Sequence, residues 1–167
     1  MLILRFLHII SGVFWVGASF FTARFLMPSL KAAGPAAGPV LAELGKRRIP
    51  ASMLGAALVN VASGIWLIML VSGGAPNAWM RSPMGRTIGI GAGFAILAVI
   101  LGLAVGMPAN AGMVRISTTV RQRGGPPTAE EAAQLERFQT RSALAAMGAS
   151  ALLFLATAAM AVARYVP

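Results

Sequence analysis

Four apolar stretches, each about as long as the hydrocarbon core of a bilayer is thick, constrain this chain more than any other feature. A helix needs about 20 apolar residues to cross that core. Stretches at about 3–26, 51–72, 87–108 and 142–163 qualify. Of the 167 residues 57% are hydrophobic and 11% charged, against about 25% charged in a soluble domain. The expected fold is therefore all-α, an integral membrane four-helix bundle forming a single domain over 1–167. Arg5 and Arg24 lie near the ends of the first stretch, where both can snorkel to the headgroups. Val16-Gly17-Ala18 has the small residues of a leader-cleavage site, but a leader would not carry a histidine in its apolar region. The segment is read as a true span.

Orientation follows from the cations. The connections 28–50 and 109–141 hold nine Lys and Arg, whereas the opposite side holds only Arg5, Arg81, Arg86 and Arg164. The positive-inside rule then places both termini and the 73–86 loop on the non-cytoplasmic side of a bacterial-type inner membrane. The same rule accounts for most of the net charge of +10, and without interleaved aromatics on a basic face nucleic acid is not an expected partner. Within the connections, Val40, Leu41 and Leu44 above Lys46-Arg47-Arg48 fit a short helix on the membrane surface. Gly124-Gly125-Pro126-Pro127 breaks the chain, and Thr128-Ala129-Glu130-Glu131 reads as a capping box opening a helix that runs into span four. Pro108 is expected to kink or end span three.

Lipid tails are as apolar as leucine, so membrane helices associate through small residues. Gly89 with Gly93 and Gly102 with Gly106 form two GxxxG pairs, and span four offers Ala145, Ala149, Ala156 and Ala163 at helical spacing. So many small faces point to a homo-oligomer or to other membrane subunits as partners beside the lipid bilayer. Asn60, near the midplane of span two, must find a hydrogen-bond partner inside the bundle.

The absence of cysteine excludes disulfides, iron–sulfur clusters and thiolate zinc sites. One histidine and four acidic residues leave little for a protein-only metal site or a serine-type triad, and no catalytic residue can be named. Chemistry therefore converges on His8, the only histidine, because an ionisable group within a membrane helix is costly. With Gly12 and Trp15 it lies on one helix face. Trp15 is too deep for the interfacial belt that suits Trp66, Trp79 and Tyr165, and is expected to pack over a cofactor or a glycine groove. Three roles are open to His8: axial ligand of haem b, copper or proton work, or a hydrogen bond that stabilises packing. At a rise of 1.5 Å per residue it lies roughly 7 Å inside the boundary. Met69 and Met160, near the ends of spans two and four, fall at about that depth, and either can supply a second axial ligand. His8 of a symmetry-related copy is the alternative.

The segment LRFLHIISGVFWVGASFF resembles the first span of CopD/HemJ-like four-helix membrane proteins and the N-terminal region of membrane-bound urate oxidases. KRRIPASMLGAALVNVASGIWLI is similar to their second span, ending here in Gly64 and Trp66. The resemblance covers about 1–70. It implies a four-helix bundle in which the position of His8 can ligate b-type haem, and links the chain to porphyrinogen oxidation or copper uptake. Span three, RTIGIGAGFAILAVILG, lacks the Lys and His that HemJ-like proteins carry in later spans.

Overall fold

A computed structural model describes residues 1–34 and 37–166, which are helical apart from short connections, with no strands among them. Helix α1 (Leu2–Phe21) passes through a π turn (Thr22–Leu26) into α2 (Met27–Ala33). Helix α3 (Ala37–Lys46) leads by a sharp turn into α4 (Ile49–Val71). After α5 (Pro76–Trp79), α6 (Pro83–Leu101) passes through a second π turn (Gly102–Gly106) into α7 (Met107–Arg123). Last comes α8 (Ala129–Val162), with a closing 3₁₀ turn (Ala163–Tyr165). Among the described residues four continuous helical rods are long and apolar enough to cross a membrane: Leu2–Ala33, Ile49–Val71, Pro83–Arg123 and Ala129–Tyr165. The molecule is an all-α bundle of a multi-pass membrane protein.

Three of these rods outrun the apolar stretches that define them. The third holds 41 residues, roughly 60 Å of helix at 1.5 Å per residue, against a bilayer of about 40–45 Å with its headgroups. Pro108 does not end it. Proline lacks an N–H and its ring collides with the carbonyl four residues back. The helix accommodates this by widening just before, so that the Met107 N–H reaches the Gly102 carbonyl five residues away. Pro28 follows an identical device in which the Met27 N–H bonds to the Thr22 carbonyl. A Met-Pro pair thus sits below a π turn in both rods.

The polar extensions of α7 and α8 form a closed hairpin. Gly124 ends α7 in the left-handed region at φ 73°. Thr128 caps α8 with the expected box: its hydroxyl accepts from the Glu131 N–H, and Glu131 accepts from the Thr128 N–H. Arg123 donates to both Glu131 oxygens at 2.8 and 2.7 Å. That bidentate contact, followed by the Thr128 N–H, lowers the Glu131 carboxyl to about 2. Phe138 of α8 fills the space above Gly112 of α7.

Contacts among the rods are uneven. α1 packs closely on α4, α6 on α8, and α1 more lightly on α8, while α4 and α6 meet at few points. Round the bundle the order is α4, α1, α8, α6, with an open seam between α6 and α4. The α6–α8 contact is dry and close. A Cβ on Gly91 would lie 3.1 Å from the Ala156 carbonyl, and one on Gly148 2.9 Å from Leu101. Ala145, Ala156 and Ala163 of the expected small-residue stripe are buried. Of the two GxxxG pairs, Gly93 and Gly102 meet no neighbour, while Gly106 faces Ala145. At the centre Trp15, Ala57, Ala98 and Leu153, one from each rod, form the buried cluster.

Candidate functional site: the α1–α4 clamp and the seam beside it

Position 8 faces position 64 across the antiparallel α1–α4 contact, and position 12 faces position 60. The sequence marks this register twice, as His8-x3-Gly12 and Asn60-x3-Gly64. Each polar side chain lies over the other helix's glycine. A Cβ on Gly64 would fall 2.9 Å from His8 Cε1, and one on Gly12 2.7 Å from Asn60 Nδ2. The absence of both Cβ atoms lets the backbones approach until the side chains reach across.

The hydrogen bonds are reciprocal. Asn60 Nδ2 donates to the His8 backbone carbonyl at 2.7 Å, and His8 Nδ1 donates to the Asn60 carbonyl at 2.9 Å. Ser63 Oγ stands 3.2 Å from the same Nδ1 while its own hydroxyl is turned to the Val59 carbonyl at 2.6 Å. A carbonyl can only accept, so Nδ1 carries a proton. In the neutral ring Nε2 then holds the lone pair, and it has no hydrogen-bond partner among the described residues. Asn60 thus finds the interhelical partner that its depth requires.

Nε2 belongs to a ring that lines the seam. There, between α4 and α6, lies a cavity of about 320 Å³, at the lower end of the roughly 300–1,000 Å³ typical of small-molecule sites. Its walls are mostly apolar. Gly64 on one side and Ala92 and Ala95 on the other keep it open, and Arg5, Trp79 and Met160 also line it. Met160 therefore shares a cavity with His8. Met69 lies at the same level of the bundle but is half exposed on the outer surface and is not among the lining residues. Gly12 is taken up by the clamp and lines no part of this cavity. Trp15 is buried against alanines and Leu153 rather than over a glycine groove; it lines a second, larger cavity on the other side of the central cluster. Met84 and Trp79 also line the His8 cavity; neither is marked by periodicity, because both come from the connection and first turn beside it.

No family model, curated protein or solved structure matches the chain. The chemistry of the site therefore rests on its own geometry.

Proposed function

We propose that this protein is a haem-binding electron-transfer or accessory module of a bacterial-type inner membrane, with His8 Nε2 as axial ligand in the α4–α6 seam. One observation carries the proposal. The Asn60 carbonyl accepts a hydrogen bond from Nδ1–H and fixes the ring, the outer-shell arrangement typical of a metal-ligating histidine, while the other nitrogen is left without a partner beside an apolar cavity. The lining would offer a b-type haem an imidazole, the Met160 thioether, small residues that leave room, and the Arg5 guanidinium for a carboxylate substituent. When bound, the group would supply one-electron chemistry; the chain holds the imidazole tautomer and offers a cation. The resemblance of the first two spans to CopD/HemJ-like proteins points the same way. Copper held by His8 and Met160 is the nearest variant of this chemistry.

Adding haem to the purified protein should produce a Soret band. His8→Ala should abolish it, Met160→Leu should shift it, and Met69→Leu should leave it unchanged. A band that survives His8→Ala overturns the assignment. The orientation proposed from the cation bias, both termini non-cytoplasmic, is tested by a reporter active only in the cytoplasm fused at the C-terminus, which should be silent.

A cofactor-free structural subunit is favoured by a different observation. The reciprocal clamp already gives His8 a complete packing role, and Gly17, Gly55 and Gly93 face open space where another helix can approach. In that case no band forms, and His8→Ala acts only on bundle stability and on assembly with a second copy or a parent complex.

A further inference from the structure

On the far side of the Trp15 cluster the bundle holds a second, half-open cavity of about 560 Å³, larger than the one beside His8. Its closed end is apolar, formed by Trp15, Ala98 and Leu153. Its mouth is polar: Asn110 and Ser142 line it, with the Ser142 hydroxyl donating to Asn110 Oδ1 at 2.9 Å. Ala98 and Asn110, both lining residues, stand twelve positions apart on one rod, roughly 18 Å of helix. One leaflet of hydrocarbon is about 15 Å deep, half of the 30 Å core. The cavity is thus as deep as one acyl chain is long.

The mouth also carries charge. Leu44 and Gly45 line the cavity from the end of α3, and Ile49 and Pro50 line it from the start of α4. The intervening Lys46-Arg47-Arg48 turn therefore sits at the opening. Arg48 adopts φ 54°, ψ 30°, the only non-glycine residue with positive φ among those described. The left-handed conformation closes the α3–α4 turn, with the Arg48 N–H bonded to the Gly45 carbonyl at 3.0 Å, and it is one that glycine adopts at less cost. Glu43 engages Lys46 at 3.6 Å and Arg47 at 3.4 Å. Arg48 has no carboxylate partner among the described residues.

We propose that this cavity binds one anionic diacyl phospholipid, with an acyl chain reaching the Trp15 cluster and the phosphate held at the Lys46-Arg47-Arg48 turn. Depth selects the chain, and three cations facing one carboxylate select the charge.

Lipid binding to the purified full chain is measured by native mass spectrometry, using phosphatidylglycerol and phosphatidylcholine with identical acyl chains. The anionic lipid should bind roughly thirtyfold tighter. Arg48→Gly, which suits the left-handed turn, should weaken that lipid about fivefold and leave the zwitterionic one unchanged. Gly102→Leu places a side chain in open space within the cavity and should remove binding of both lipids. Ala146→Leu, on the opposite wall, should do the same and covers the case in which the π turn does not accept a leucine. Gly93→Leu, in open space outside the cavity, should change nothing. Equal affinity for the two lipids, or full binding in both cavity-filled variants, overturns the proposal.

Discussion

The α1–α4 and α6–α8 contacts solve one problem, helix association without a hydrophobic driving force, by opposite means. α6 and α8 touch through backbone and methyl groups, with Gly91 against the Ala156 carbonyl and Gly148 under Leu101. α1 and α4 hold each other through two crossed hydrogen bonds above two glycines. Dry contact depends on continuous complementarity along the rod. The polar clamp concentrates its strength at one level and thereby fixes one side chain in one orientation. The first contact makes a frame, and the second makes a site.

The largest expected effect breaks the dry side. A leucine side chain at position 91 meets a backbone carbonyl that cannot move without moving α8, so Gly91→Leu should destabilise the bundle by about 3 kcal/mol or more. Reversible unfolding in mixed micelles reads this, and Gly93→Leu on the same helix, facing open space, should be nearly neutral. Equal effects at 91 and 93 would remove the close contact from the account.

On the polar side the expected loss is smaller. Asn60→Ala should cost about 0.6–1.7 kcal/mol, the range for interhelical hydrogen bonds in lipid. Gly12→Ala should cost a similar amount by displacing the Asn60 amide, and the double variant should cost less than the sum of the two. Strict additivity would mean that Gly12 serves something other than the clamp.

The smallest effect lies in the α7–α8 hairpin, beyond the apolar stretches. The Glu131 carboxyl is lowered from 4.5 to about 2, so the clasp with Arg123 contributes fully above pH 4.5 and is lost as pH falls through about 2. Amide exchange at the first turn of α8 should quicken over that window. Glu131→Gln should be fast at every pH, and a pH-independent wild type would show that the ion pair does not hold the turn.

Much of this architecture is legible in the sequence because hydropathy and caps are local signals. The four spans, the Thr128 box and the inward alanines of α8 follow from composition and spacing along one helix. Asn60's need for a partner follows from its depth, but the identity of that partner depends on the register between two helices. The repeated polar-x3-Gly spacing at 8–12 and 60–64 holds that register, and becomes readable only when the two spans are set antiparallel. Met69 and Met160 are equivalent by depth; rotation about the helix axis, which depth does not contain, separates them. Leu41 lies outside the described side chains. Pro108 reads as a break because its cost is local, whereas the widened turn that absorbs it draws on the five residues Gly102–Gly106.

Each π turn amounts to one residue more than an α-helix needs over the same rise, and one residue is about 100° of rotation. Everything below Thr22–Leu26 and below Gly102–Gly106 is therefore turned by that angle relative to the face above. Leu30, Ala109 and Ile116, all below these turns, are buried against protein with that rotation in place. A single-residue deletion inside either turn would leave composition and hydropathy almost untouched. It would nonetheless swing the lower half of the rod round by about 100°, turning these buried residues away from the neighbours they now meet. These two turns are thus the places where the chain's length, rather than its chemistry, determines which side is in.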